Sequence, residues 1–165
     1  MISRVPPPPL FYRRSIMIEK LLDAFEMFFH PGGKLGKRFL RVADLMHRGN
    51  DVPLVEEKTL MHDAIYEMSN KGFGITAVTD ADGRLVGAIS DGDLRRLLQK
   101  DDQIVRKTAG ESMKGSPLTI EANELASAAL QIMETKKITS LFIVDGERRV
   151  EGIIHLHDLW GIELF

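Results

Sequence analysis

The sequence has 165 residues, 44% of them apolar and 28% charged, with a formal net charge of −2 and no cysteine. This is the ordinary mix of a soluble globular chain, long enough for one compact domain or a tightly fused pair. It provides no basic field for nucleic acid or an anionic membrane, no disulfide or thiolate chemistry and no apolar run long enough to span a bilayer, so a cytoplasmic protein is expected.

Residues 1–15 carry four consecutive prolines, Pro6 to Pro9, and then Arg13 and Arg14. Proline here favours a solvated polyproline segment, so a disordered tail is expected, without the apolar stretch of a secretory signal. Residues 16–41 read as a helical arm and linker. Ile18, Leu21, Leu22, Phe25, Phe28 and Phe29 share one helical face opposite Glu19, Asp23 and Glu26. Such a face is expected to dock on the chain's own core or on a second copy, giving a homodimer, and the acidic polar face argues against a membrane. His30-Pro31-Gly32-Gly33 stops the helix, and Lys34, Lys37, Arg38 and Arg41 follow it.

After Arg41 the text is written twice, and after Val52 the two copies run 65 residues apart without a gap. Ala64-Ile65-Tyr66-Glu67-Met68 aligns with Ala129-Leu130-Gln131-Ile132-Met133, and Gly87-Ala88-Ile89-Ser90 aligns with Gly152-Ile153-Ile154-His155. A period of this length means one supersecondary unit used twice. The first unit is expected over 42–100 and the second over 108–165, with 100–107 as an exposed connector. The first unit predicts a strand at Leu54-Val55, a helix from an N-cap at Thr59 to about Asn70, and strands at 75–79 and 85–90. Asp80-Ala81-Asp82-Gly83 forms the turn between those strands, and a helix follows from Asp91 to about Gln99. The second predicts strands at 118–120, 141–144 and 150–155 and helices at 124–134 and 158–164. The architecture is therefore α+β, two β-α-β-β-α repeats related by pseudo-two-fold symmetry. Two units that cover each other's apolar faces leave a cleft between them, which points to binding before catalysis.

The chemistry-bearing residues sit where strand passes into helix. Ser90 followed by Asp93 has the spacing of a capping box. The same geometry exposes N–H groups that attract phosphate and a carboxylate that accepts from ribose hydroxyls, so Ser90 and Asp93 are candidate ligand contacts. In the second unit His155 stands where Ser90 stands, followed by Asp158. Histidine charge varies near neutral pH, so the two sites are expected to differ. His155 and His157 would share a strand face, but no third ligand accompanies them, and neither a metal nor a cofactor is expected. Gly72-Phe73-Gly74-Ile75-Thr76 and Lys137-Ile138-Thr139-Ser140 read as helix stops followed by buried strands. Gly32 to Lys37 lacks the spacing and the hydroxyl residue of a phosphate loop.

The repeated unit resembles a tandem CBS domain pair (a Bateman module). The wording His30-Pro31-Gly32-Gly33-Lys34-Leu35-Gly36-Lys37-Arg38, Val42-Ala43-Asp44-Leu45-Met46-His47, Asp91-Gly92-Asp93-Leu94-Arg95-Arg96 and His155-Leu156-His157-Asp158-Leu159 also resembles the C-terminal part of arabinose 5-phosphate isomerases of the sugar-isomerase type. The resemblance implies a regulatory module that binds a nucleotide or nucleotide sugar, such as a cytidine sugar nucleotide, in the pathway to lipopolysaccharide. It places Gly74, Thr76 and Thr139 along a base pocket, Ser90, Asp93, His155 and Asp158 at ribose and phosphate, and His30 at a catalytic position. Only 29 residues precede His30, where the family carries a sugar-isomerase domain. The chain by itself is therefore expected to sense rather than catalyse. The alternatives are part of an aldose–ketose isomerase completed by a separate domain, and a ligand-free dimerisation module.

Overall fold

The structure is a computed structural model that describes residues 39–160. The expected Pro-rich tail, the amphipathic arm and His30 lie outside the described residues. Each repeat builds one sheet. In the first, β1 (Leu54–Glu56) leads through α1 (Met61–Lys71) to β2 (Ile75–Thr79), which pairs parallel to β1. A tight turn returns the chain as β3 (Leu85–Ser90), antiparallel to β2, and α2 (Asp91–Leu98) follows directly. A short helix α3 (Ala109–Ser112) and strand β4 (Lys114–Gly115) lead into the second repeat. There β5 (Thr119–Ile120), α4 (Ala126–Lys136), β6 (Ser140–Val144), β7 (Val150–His155) and α5 (Leu156–Trp160) repeat the order. No helix among the described residues is long and apolar enough to cross a membrane.

Alternation along the strands sorts the apolar side chains into three cores. Val78 and Ile89 pack with Met61 and Ala64 beneath the first repeat's helices, and Leu141 and Ile143 pack with Ala129 and Met133 beneath the second's. The other strand faces, carrying Ala77, Ala88, Phe142, Val144 and Ile153, meet between the two sheets.

The repeats exchange their leading segments. Val42 and Met46, at the start of the first repeat and ahead of β1, complete the second repeat's core, whereas Ile104 and Ala109 complete the first's. The exchange continues in the backbone. β4 adds an edge to β3, and His47 bridges to Ile153 on β7. It also explains how the long helices begin. Thr59 does not cap α1: the N-cap is Leu60, without a side-chain bond, and the Met61 N–H donates to the Lys107 carbonyl at 2.8 Å. The Ala126 N–H of α4 donates likewise to the Leu40 carbonyl at 2.8 Å. Borrowed carbonyls do the work that a capping hydroxyl would otherwise do. The expected exposed connector is pinned by the same exchange, because Ile104, in a 3-10 turn over Ile104–Arg106, is 1% exposed. Helix α4 starts later than expected, at Ala126, and α5 starts earlier, at Leu156.

At the far end of the sheets the two hairpin turns meet. The Leu85 N–H donates to the Arg148 carbonyl at 2.8 Å, and Arg84 bridges Arg149. Asp80 and Asp145 close the turns in the same way, each Oδ1 accepting from the N–H groups two and four residues ahead. The inter-sheet core is thus held at the turn end, and its opposite end, where strands give way to α2 and α5, is left for a cleft.

Candidate functional site

The cleft has a volume of about 620 Å³. The β3–α2 junction of the first repeat, the β4–β5 linker and the start of β6 form its walls. Ile75, Ala88, Ile138 and Phe142 make an apolar interior; Arg96, Lys114 and Lys137 bring three cations to its lining.

Asp93 organises the polar side. Ser90 and Asp93 form a full capping box, in which the Ser90 N–H and hydroxyl donate to Asp93 Oδ2 at 3.1 and 2.6 Å and the Asp93 N–H donates to Ser90 Oγ at 3.2 Å. Oδ1 accepts from Arg96 at 2.5 Å and from Lys114 at 2.6 Å. Burial alone would raise this carboxyl group. The hydrogen bonds from Lys114, Ser90 and Arg96 outweigh it and hold Asp93 well below the usual carboxylate range. Asp93 is 8% exposed, so the pair of cations it fixes is anchored from inside the fold. The carboxylate is committed to Lys114, Ser90 and Arg96, and the two cations it holds line the cleft.

Among the residues singled out from the sequence, Gly74, Ser90, Asp93 and Thr139 line this cleft together. Gly74 and Thr139 do related work, their carbonyls accepting from the first N–H of α2 (Asp91, 2.9 Å) and of α5 (Leu156, 2.8 Å). Thr76 does not line it. Alternation turns Thr76 away from the face of Ile75 and Ala77, and it is fully buried, its hydroxyl donating to the Ala77 carbonyl at 3.5 Å. His155 and Asp158 are absent from the lining as well, and form a second junction at the β7–α5 step.

That junction has different chemistry. The His155 N–H donates to Asp158 Oδ2 at 2.7 Å, the counterpart of Ser90 and Asp93. Asp158 Oδ1 is held by His47 Nε2 at 3.0 Å, so a histidine takes the place of the arginine and lysine. The Phe73 ring lies between His47 and His155, with centroids 5.0 and 6.1 Å away. His155 and His157 do not share a strand as expected, because His157 lies in α5, yet their rings stack at 5.1 Å. Burial, and then the neighbouring His157, push the His155 pKa below the usual imidazole value. Its Nδ1 accepts from the His157 N–H at 3.2 Å, which a neutral ring can do. Among the described residues no three His, Cys, Asp or Glu side chains converge on a metal position.

The sequence reading missed Arg96, Lys114, Lys137 and Ser140, although the 65-residue offset carried a signal for all but Lys114. Arg96 and Lys137 are replaced in the other copy by Gly161 and Gly72, and Ser140 by Ile75, whereas Lys114, paired with Ala88 on β3, has its counterpart in His47, which bridges Ile153 on β7. Two cations present in one copy and absent from the other set this junction apart from the one at β7–α5.

Comparison with known proteins agrees with this fold. The CBS domain family model matches residues 42–100 and 109–159. Arabinose 5-phosphate isomerase KdsD of Pseudomonas aeruginosa is 43% identical over 133 residues, covering 80% of this chain and 41% of that protein. The KdsD of Francisella tularensis is 38% identical over 138 residues, covering 83% and 42%. The chain therefore spans about two-fifths of the length of these relatives. Among solved structures, CBSX2 in complex with AMP superposes with a TM-score of 0.63 at 26% identity, covering 73% of this chain and 93% of that one.

Proposed function

The chain belongs to the CBS domain family, and from that premise we infer that it is a regulatory module whose cleft binds a nucleotide or nucleotide sugar. The observation that carries this reading is the cleft's division of chemistry: an apolar interior for a planar base, and Arg96, Lys114 and Lys137 for phosphate. Asp93 pre-positions two of those cations, so little ordering remains to be done when an anion arrives. The N-terminal end of α2 faces the same space and adds N–H groups that favour negative charge. A bound AMP in a structure with 26% identity to this chain supports the nucleotide class.

The test is calorimetry on the parent chain with AMP, ATP, CMP and a cytidine sugar nucleotide, and on Lys114→Gln. At least one of these ligands is expected to bind the parent, and Lys114→Gln is expected to weaken it about ten-fold, the loss of one charge-assisted hydrogen bond. If none binds, or if Lys114→Gln binds equally well, the cleft is a structural gap.

The isomerase relatives support a more specific reading of what the module regulates. On that reading the bound ligand reports to an aldose–ketose isomerase acting on a sugar phosphate, as an end product would. Joining the relatives' remaining segment to this chain gives the assay: the calorimetric ligand should change the rate of arabinose 5-phosphate turnover. An unchanged rate at saturating ligand sinks the regulatory link while leaving binding intact.

A further inference from the structure

Among the described residues, the Ser140 hydroxyl is the one buried side-chain polar atom that lacks a hydrogen-bond partner. It lies at the first position of β6, 7% exposed, on the same strand face as Phe142 and Val144, and it lines the cleft. The fold does not require a hydroxyl there. The related position in the first repeat is Ile75, which packs against the inter-sheet core. A buried hydroxyl with no partner destabilises a fold, because the lost hydration is not replaced. Such a group is tolerated where something else comes to satisfy it.

We propose that Ser140 is the anchor for the heterocycle of the bound ligand, its hydroxyl meeting the ring's polar edge on the cleft floor while the phosphate stays with Arg96, Lys114 and Lys137. The proposal rests on the nucleotide reading above and adds the orientation and the residue that reads the ring. A hydroxyl both donates and accepts, so it can donate to a ring nitrogen or carbonyl, or accept from an exocyclic amino group. Ile75, Ala88, Ile138 and Phe142 provide the apolar contacts that a flat ring needs on its faces. A sugar phosphate without a base would engage the cations and leave Ser140 unmet. Ser140 therefore separates nucleotides from sugar phosphates, a distinction the cations alone cannot make.

Calorimetry on the full chain with AMP, CMP and ribose 5-phosphate tests this, using the parent, Ser140→Ala and Ser140→Cys. Ser140→Ala is expected to weaken the better-bound nucleotide about five- to ten-fold and to change ribose 5-phosphate less than about two-fold. Ser140→Cys, with a weak donor of similar size, should fall between parent and alanine. The unliganded Ser140→Ala protein is expected to melt at or above the parent's temperature, since it loses an unmet polar group and no bond. A purely structural serine would lower the melting temperature instead. Equal losses for nucleotide and ribose 5-phosphate overturn the anchor, as does unchanged nucleotide affinity in Ser140→Ala; in the latter case the cleft reading stands alone. If the parent binds neither these nor ATP and the cytidine sugar nucleotide, the cleft reading fails and the anchor falls with it.

Discussion

Lys137 ends α4 in the left-handed region, at φ 57°, where Gly72 ends α1 at φ 76°. Glycine adopts that backbone freely and lysine does not, at a cost of about 1 kcal/mol. The strain has a return: it places a cation on the cleft that glycine would leave out. Lys137→Gly should therefore raise unfolding stability by up to about 1 kcal/mol in urea titrations. The same variant should bind an anionic ligand several-fold more weakly; a variant that is less stable, or equally tight, contradicts this account. His155 makes the opposite kind of statement. Its folded-state pKa lies below the ordinary imidazole value near 6.5, so the folded protein takes up fewer protons than the unfolded chain. The stabilisation from neutral His155 is present above about pH 6.5 and is lost as pH falls towards the depressed value. His47, His157 and Asp158 face the same ring, and Asp158 opposes the shift that the two histidines reinforce. His155→Ser installs the residue found at Ser90. It should lose less melting temperature than the parent between pH 7.5 and 5.5, and equal losses would rule out His155 as the source.

At the scale of elements, the exchanged segments account for a pair of glycines. A Cβ added to Gly87 would stand 2.9 Å from the Lys114 carbonyl oxygen, and one added to Gly152 would stand 2.6 Å from that of His47. In both cases the obstacle is backbone crossing the edge strand of the other repeat, so no rotamer change relieves it. Gly87→Ala and Gly152→Ala are each expected to destabilise the fold by about 1–3 kcal/mol, the usual cost of overpacking. Gly83→Ala is the contrasting control: it meets nothing within 4 Å, so its cost comes from its φ of 79° alone. If chemical denaturation shows no loss for the first two, the segments are more loosely seated than described. The strands other than β4 and the two hairpins were legible because period-two patterning and the Asp-Gly turns act within about ten residues. The starts of α1 and α4 were not, because their first N–H groups, on Met61 and Ala126, are met by carbonyls brought from Lys107 and Leu40. No local window contains both partners of such a bond, so Thr59 looked like the better cap.

For the molecule as a whole, the two repeats are alike in trace and unlike in chemistry. Asp93 holds Arg96 and Lys114 at one junction, and Asp158 holds His47 at the other. Ser90 and Asp93 were legible from their spacing, and Gly74 and Thr139 from the family resemblance. Lys114 and Ser140 come from parts of the chain far from Ser90 and meet it only through the fold, which is why motif spacing passed them over. Thr76 was misplaced for a simpler reason: in a strand, neighbours in sequence face opposite ways, and Ile75 holds the cleft-facing position.

The exchange of leading segments also sets a timetable. Val42 and Met46 are made early, yet the surface that covers them comes from Ile120, Ala126, Leu130, Met133, Leu141 and Leu159. During synthesis those two side chains must wait for more than seventy further residues before Ile120 arrives, and for more than a hundred before Leu159 completes their cover. The first repeat is in the same position, since its helix cap and part of its core arrive only with Ile104 to Ala109. Neither half is complete from its own sheet and helices alone, and contacts of such long sequence separation slow folding. A nascent chain halted soon after Gln99 should be open to proteases along α1, and one halted far enough beyond Ala109 for that segment to dock should gain protection there.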